Sequence, residues 1–484
     1  MSPRTPATTG RTPATLGIDV GTTETKAGLV SLDGRLLGLA RRRHASSVDP
    51  STGRAEQDPE AWWLGLVESV REVLAGVGDR TDVLALVVDG HGPTLTPVDG
   101  HGVAVRPAIT WQDTRSGAEA AILAGATGRS GWGLGVLPAA RWLETHEPEA
   151  ARATAWYLNS WEALALRLTG RAASFLVAGH APLEGDGVRG AGLAVERIPP
   201  PIPAGSVVGP LLPDVTTLLG LPLGAPVVAG VVDAYASLHG ARMLDAGDAI
   251  DVGGAAGGFG LYWDTAIEAQ GSFTAPAPLP GRWLVGGAMA ATGASLDWFR
   301  DAVLGGSRTT VELLAEAAAA PPGADGLIFL PYLAGERSPL WDPSARGAFA
   351  GLTLRHDRAT MTRAILEASA FALRHVAAPI LAAGGQVTTM RVCGGPAADD
   401  AWNQIKADVT GFPIEVPGIL ETAVVGSAIL AATGVGAHRD LGTAIRSMAT
   451  IDHRLEPDPA LKSLYDRAFE AYVALHPAIS AAMA

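Results

Sequence analysis

The sequence predicts an α/β protein of two similar lobes, and three observations predict it. Short apolar runs, each closing on Gly or Asp, alternate with stretches of helical periodicity. The string Ile-Asp-Val-Gly occurs at 18–21 and again at 250–253, close to the middle of a 484-residue chain. Asp-Gly pairs at 33–34 and 99–100 sit beside extended runs, a pattern that favours tight hairpins.

In chain order, Leu16–Val20 reads as the first strand. Asp33-Gly34 then joins Ala27–Leu32 to Leu36–Ala40, so the first lobe opens with a hairpin. A Rossmann nucleotide site would instead run its first strand directly into a helix. Further strands are expected at Val83–Val88, Val227–Val232, Leu327–Leu330 and Met390–Cys393. Asp357 suits an N-cap, and Met361, Ile365, Ala368, Ala372 and Val376 follow it at three- and four-residue spacing, on one helix face. The chain is too long for one typical core. Each copy of Ile-Asp-Val-Gly begins a half and precedes a β-rich stretch and then helices, which favours duplication over a chance match. The connector-like Leu244–Gly247 sets the expected boundary at about 245. That gives a flexible tail at 1–14, a first lobe at 15–245 and a second at 246–484.

A formal net charge of −13 argues against a general nucleic-acid or anionic-membrane binder, since both need a basic surface. It leaves room for a local phosphate site, because glycine turns and helix N-termini bind phosphate through backbone N–H groups. Cys393 is the single cysteine, so an intrachain disulfide and a cysteine-rich metal site are excluded. In its apolar run it reads as a small buried residue. No uninterrupted apolar run approaches the roughly 20 residues of a membrane span. The opening MSPRTPATTGRTPAT lacks the apolar core of a secretory signal, and the expectation is a tail on a cytoplasmic protein.

Several segments carry candidate chemistry. In Gly17–Lys26, GIDVGTTETK, a strand delivers Asp19 to a turn where Gly21 lets a ligand approach the backbone. Thr22 and Thr23 add hydroxyls and Lys26 a positive charge, a set able to hold a terminal phosphate, with Asp19 orienting Mg2+ and its waters. The same residues also suit a hairpin whose polar side chains face solvent. The second copy continues as GGAAGG and supplies no side-chain donors. It suits a phosphate wrapped by backbone N–H groups, or a bulge in a strand. Gly394-Gly395 follows a strand, with Asp399 or Asn403 placed for a base or ribose, although a glycine pair alone also makes a turn. Asp233 closes the apolar run VVAGVV; such a carboxylate serves as a general base in a cleft and as a cap elsewhere. His91, Trp111, Asp113 and Arg115 crowd into a short span whose polar groups and aromatic face suit a sugar, or a solvated loop around a packed tryptophan.

Taken in order, these segments resemble the FGGY family of carbohydrate kinases, in the superfamily of sugar kinases, Hsp70 and actin. The resemblance runs from about residue 15 to about residue 475. Its most specific part is GLIFLPYLAGERSPLWDPSARGAFAGLTLRHDRATMTRAILEASAFALR at 326–374, similar to the family's C-terminal signature. Trp-x-Asp-x-Arg at 111–115, the VVDA around Asp233 and ATGASLDWF at 291–299 fall in family order. The resemblance implies two actin-like (ribonuclease H-like) lobes with a central cleft. It implies ATP and Mg2+ held mainly by the second lobe and a small sugar, sugar acid or polyol by the first, in the manner of xylulose kinases. Asp233 resembles the catalytic base that takes the proton of the attacking hydroxyl, and Asp19 the residue linked to the metal. Gly21, Thr22, Thr23 and Lys26 resemble the first phosphate motif. Gly254, Ala255 and Gly257 fall on the second, and Gly293, Asp297, Gly395 and Asp399 on positions near the nucleotide. His91, Trp111, Asp113, Arg115 and Asp233 fall on the sugar side. Family members are often dimers, so a homodimer is compatible with the resemblance. The implied catalysis is one of positioning: an in-line hydroxyl, a base for its proton and cations for the phosphate oxygens.

The chain departs from the family pattern in three places. Val88-Asp-Gly-His-Gly92 stands where members often have Gly-Gln-Met-His-Gly, and Ala234 follows Asp233 where Asn or Gln is usual. Both places touch sugar in the family, so no one substrate, such as xylulose or glycerol, carries over. Gly254-Ala-Ala-Gly257 replaces a Gly-Thr-Ser-Gly and lacks a hydroxyl expected near the γ-phosphate. A hydrogen bond to a charged group is worth roughly 1.5–3 kcal/mol. If it acts in the transition state, its loss slows turnover about ten- to a hundred-fold. A second reading follows from this loop, a sugar- or nucleotide-binding regulator that has lost turnover; the retained Asp19, Lys26 and Asp233 oppose it.

Overall fold

The computed structural model describes residues 10–182 and 185–483, which form two compact units. The first runs to Gly240 and takes back Glu421–Ala449. The second comprises Ala241–Leu420 and the chain from Thr450 onward. The single cut expected at 245 is thus replaced by a split in which a late segment returns to the first unit.

The first unit is built on β1 (Thr12–Val20), β2 (Glu24–Ser31), β3 (Leu36–Arg43), β4 (Thr81–Gly90), β5 (Val207–Pro210) and β6 (Pro226–Val228). Their order is β5-β6-β4-β1-β2-β3. β1, β2 and β3 make an antiparallel meander, as the Asp33-Gly34 turn predicts, and β4 and then β6 extend it in parallel. β1 begins earlier than expected. Thr12–Ala14 pair with Thr81–Val83, so that part of the expected tail is strand; residues 1–9 lie outside the described residues. β6 is shorter than the Val227–Val232 run, because Ala229 exchanges backbone hydrogen bonds with Gly205 and Ser206. Val232 returns only as a bridge to Gly90.

Glycines explain why the late segment belongs here. Gly17 and Gly28 are cross-strand partners in β1 and β2. A Cβ on Gly17 would overlap the Val424 carbonyl, and one on Gly28 the Val424 side chain. Their bare backbone lets helix Thr422–Gly434 lie directly on the sheet, where Thr15 Oγ1 also donates to the Ala428 carbonyl at 2.8 Å. Helix Pro59–Val77 packs Trp62, Leu66, Val70 and Val73 into the core with Leu29 and Ala40. Its first turn is capped by Asp58, whose Oδ1 accepts from Glu60 N at 2.9 Å.

The second unit is built on β7 (Asp248–Val252), β8 (Gly257–Trp263), β9 (Phe273–Pro276), β10 (Trp283–Met289), β11 (Thr389–Cys393), β12 (Ile414–Pro417) and β13 (Ile451–Leu455). Their order is β9-β10-β8-β7-β11-β12-β13. The plan of the first unit recurs: β7, β8 and β10 form an antiparallel meander, and β11 and β12 continue β7 in parallel. The two Ile-Asp-Val-Gly strings therefore end the first strands of two sheets with one topology. Helix Arg358–Ala382 starts at Asp357, whose Oδ1 accepts from Thr360 N at 3.0 Å, and it buries Ile365, Ala368, Ala372 and Val376. It is apolar and long enough to cross a membrane, but 72% of its apolar window is buried inside the protein, the mark of a core helix.

Candidate functional site

In the first unit, pairing across three strands assembles the polar end of the sheet. Asp19 is the cross-strand partner of Lys26 on β2 and of Asp89 on parallel β4. The Gly90–Val232 bridge then brings Asp233, the first residue of helix Asp233–Gly240, to the same end. Apolar strands thus deliver three carboxyl groups to one place, and Asp89 is 0% exposed.

Burial sets the protonation of this group. Asp89 is held well above the usual carboxylate range, first by burial and then by the charge of Asp19. Its Oδ2 accepts from Ser427 Oγ. Two adjacent buried carboxyl groups do not both ionise, so the proton resides on Asp89. Burial also raises Asp19, with Lys26 opposing. Asp233 is partly accessible and is pushed up to about 7, first by burial and then by Asp19, against the Ala234 N–H bonded to its Oδ1 at 2.7 Å. The protonated Asp89 carboxyl is hydrogen-bonded to the Asp19 carboxylate, which lowers Asp19 in turn.

Lys26 is more tightly held than a free phosphate ligand. Its Nζ lies 2.8 Å from Glu421 Oε2, 3.5 Å from Glu24 Oε1 and 3.8 Å from Asp19 Oδ2. Burial alone would lower its pKa, but these carboxylates, Asp19 foremost, hold it above the usual lysine value. Gly21 N donates to Glu24 O at 3.0 Å and closes the turn, leaving Thr23 exposed. Thr22 Oγ1 accepts from Trp111 Nε1 at 3.2 Å. The tryptophan expected on the sugar side thus touches the turn expected on the phosphate side, with 39% of its surface exposed.

His91, Asp113 and Arg115, also expected on the sugar side, are committed to the protein. His91 is buried, with Nδ1 2.8 Å from Thr94 Oγ1 and Nε2 3.2 Å from Gln57 Oε1. Burial, with the nearby His44 ring adding to it, pushes its pKa down to about 3, so the ring is neutral. No ring nitrogen is left for a sugar hydroxyl. Asp113 Oδ2 accepts from Ala55 N at 2.8 Å and from Arg115 Nη2 at 2.7 Å, while the same Nη2 lies 2.6 Å from Glu56 Oε1. The Arg115 guanidinium also stacks 4.3 Å over Trp142. Asp113 and Arg115 fasten the loop that presents Trp111.

In the second unit, glycine turns meet at the end of β7. Gly293 N donates to Gly254 O at 3.1 Å and Ala294 N to Ala255 O at 2.9 Å. A Cβ on Gly293 would overlap the Gly254 carbonyl, so only glycine permits this seam. Gly257 is equally close-packed, its Cβ position lying 2.7 Å from Met289 and Thr292 side-chain atoms. Gly254, Ala255, Gly257 and Gly293 are therefore together, and Ala255 is exposed. Gly395 opens the short turn Gly395–Ala398 with open space around it. Asp399 caps helix Asp400–Thr410, accepting from Trp402 N at 2.7 Å, and the buried Asn403 donates to Ala397 O at 2.9 Å. Asp297 is exposed and paired with Arg300 at 2.8 Å. The Asp of the second string does not stand free either: Asp251 Oδ2 lies 2.7 Å from Lys406 Nζ.

Gln57, Asp89, Glu421 and Glu336 escaped the sequence reading. Asp89 ends an apolar run as Asp19 and Asp233 do, and that signal was available. Glu421 was invisible because its role depends on the return of a late segment. Glu336 lies inside the 326–374 signature; its Oε1 accepts from Ala290 N at 2.9 Å and Arg337 N at 2.7 Å, fixing the chain that leads from β10 to Gly293. Burial pushes it up to about 7.

Residues 14–177 match the N-terminal domain of the FGGY family of carbohydrate kinases, and residues 257–435 match its C-terminal domain. The xylulose kinase of Escherichia coli (strain K12) is 30% identical over 429 residues, covering 83% of this chain and 85% of that kinase. The glycerol kinase of Nocardia farcinica (strain IFM 10152) is 30% identical over 460 residues, covering 87% of this chain and 89% of that kinase. The crystal structure of xylulose kinase from Rhodospirillum rubrum superposes with a TM-score of 0.82 at 31% identity, covering 96% of this chain and 99% of that one. A chain that repeats one sheet plan, carries both domains in order and matches solved members almost end to end belongs to the FGGY family of carbohydrate kinases.

Proposed function

We propose that this carbohydrate kinase transfers the γ-phosphate of ATP to a hydroxyl of a small sugar, sugar acid or polyol, in the manner of xylulose kinases, with Asp233 as general base. The observation that carries the assignment is the Asp233 carboxyl: partly accessible, at the start of a helix, beside buried Asp19, and raised to about 7. A base with a pKa near the working pH combines an adequate ionised fraction with the strength to accept a hydroxyl proton. Glycine turns suit the phosphates through backbone N–H groups, and Trp111 offers an apolar face to a sugar ring.

Mg2+ fits the residues present. Asp19 brings a carboxylate, hydrogen-bonded on one side to the Asp89 carboxyl, to the end of β1 just before the Gly21 turn. Mg2+ in phosphoryl transfer is held by one or two carboxylates together with phosphate oxygens and water. Asp19 would help to hold the ion, which would supply charge screening to the phosphate oxygens. Asp233 then accepts the proton, and Lys26, restrained by its carboxylates, contributes a short-range positive charge. The same reading puts the protein in the cytoplasm as an ATP consumer and accommodates a homodimer.

The alternative is a sugar- or nucleotide-binding regulator, favoured by the absence of a hydroxyl at Ala255 and Ala256. Release of ADP is the discriminating assay, with pentuloses, pentitols, glycerol and aldonic acids each tested against the no-sugar background. Stimulation by one class identifies the kinase and its substrate class. No stimulation by any, with ATP binding intact, assigns the regulator.

A further inference from the structure

We infer that Gln57 is a positioning residue for the first phosphate turn, fixing Thr22 to the buried imidazole of His91; this rests on the reading of Gly21–Lys26 as phosphate-facing. Gln57 ends the short strand Arg54–Gln57, immediately before the Asp58 cap of helix Pro59–Val77, and is 3% exposed. All four of its hydrogen-bonding valences are used. Nε2 donates to Thr22 O at 2.7 Å and to Ser46 Oγ at 2.6 Å. Oε1 accepts from Trp62 Nε1 at 2.9 Å and faces His91 Nε2 at 3.2 Å.

These partners fix the direction of the whole chain. Since Oε1 only accepts, His91 carries its proton on Nε2 and accepts at Nδ1 from the Thr94 hydroxyl. Donation therefore runs one way, from Thr94 to His91 to Gln57 to the Thr22 carbonyl. One end is anchored in the core, where Thr94, His91 and Trp62 are buried. The other end is a turn whose next residue, Thr23, is exposed. The amide thus transmits the rigidity of the core to the Thr22–Thr23 peptide, which carries the Thr23 N–H and joins the two hydroxyl-bearing residues.

Only an amide satisfies both sides. A carboxylate at 57 keeps the acceptor for Trp62 and His91 but turns lone pairs toward the Thr22 carbonyl. An aliphatic residue leaves two buried N–H groups without an acceptor. Gln57 touches no reacting atom, so its effect appears as misplacement of the turn that meets the terminal phosphate and not in the rest of the nucleotide.

The test uses the full chain with Gln57→Glu and Asp19→Asn, titrated calorimetrically with Mg·AMP-PNP and with Mg·ADP, alongside the unfolding midpoint of each variant. Gln57→Glu is expected to weaken Mg·AMP-PNP about tenfold while Mg·ADP stays within about twofold of wild type. A purely structural lesion lowers both affinities together, and that result overturns the inference. Wild-type Mg·AMP-PNP affinity in Gln57→Glu, with affinity lost in Asp19→Asn, overturns it while sparing the phosphate reading. Unchanged affinity in both variants overturns the phosphate reading and the inference with it. Should Gln57→Glu not fold, Gln57→Asn keeps the amide but withdraws it from Thr22, and the same two titrations decide.

Discussion

Lys26 Nζ sits 2.8 Å from Glu421 Oε2, so the lysine proposed to face phosphate is held by the late segment that returns to the first unit. Both side chains are about four-fifths buried, and Arg41 Nη2 adds a second contact to Glu421 Oε1 at 2.8 Å. Glu421→Gln is expected to lower stability by about 1–2 kcal/mol, between the values of exposed and buried pairs. It also removes a negative charge from beside Lys26, so Mg·ATP affinity is expected to rise a few-fold. Denaturant unfolding and nucleotide titration read the two effects. Weaker nucleotide binding would mean that Glu421 orients Lys26 and does not merely neutralise it.

The Asp233 carboxyl, raised to about 7, must be ionised to take a proton. With the sugar that gives stimulation, kcat/KM is therefore expected to rise with pH through about 7 and level off above it. A flat acid limb down to about pH 5 would exclude Asp233 as the group that titrates.

Stability carries the opposite slope. Glu336 and Asp233 both have folded pKa values near 7, raised above their ordinary values. The folded protein therefore binds extra protons between the unfolded and folded values. These groups stabilise it fully below the ordinary carboxylate range and lose that contribution as pH rises through about 7. Glu336→Gln is expected to flatten the fall in unfolding free energy between about pH 5 and about pH 8, as measured by denaturant titration at each pH.

Ala255 is exposed in the loop that Gly293 seals, with its carbonyl bound by Ala294 N and its side chain free of close packing. Ala255→Thr returns a hydroxyl to this loop and is expected to raise kcat about ten- to a hundred-fold, measured under ATP saturation. An unchanged kcat would show that turnover is limited elsewhere.

Gly17→Ala drives a Cβ into the Val424 carbonyl and pushes helix Thr422–Gly434 off β1. A loss of about 2–4 kcal/mol in unfolding free energy is expected from overpacking against backbone. A loss below about 0.5 kcal/mol would show that the helix relaxes at little cost.

How much of this was legible follows from the range of the interactions. The hairpin at Asp33-Gly34, the cap at Asp357 and the doubled first strand are local patterns, and the sequence carries them openly. The delivery of Asp19 and Asp233 by apolar strands is nearly as local. The return of Glu421–Ala449 was hidden, because it depends on Gly17 and Gly28 being bare on the same face of two strands. The roles of His91, Asp113 and Arg115 were hidden for a related reason. Their residue types suit a sugar, but Gln57, Ala55 and Glu56, on a distant short strand, consume their hydrogen bonds. Local chemistry names the residues that are able to bind; only packing reveals which are already occupied.

Asp233→Asn bears most directly on the central assignment, because it keeps the shape of the side chain and removes its basicity. In the full chain, with Mg·ATP and the stimulating sugar, sugar-dependent ADP release is expected to fall at least about a hundred-fold, in the range typical of a lost general base. Mg·ATP affinity should stay within about twofold of wild type. Sugar-dependent turnover near the wild-type rate in this variant would contradict the assignment of Asp233 as the base.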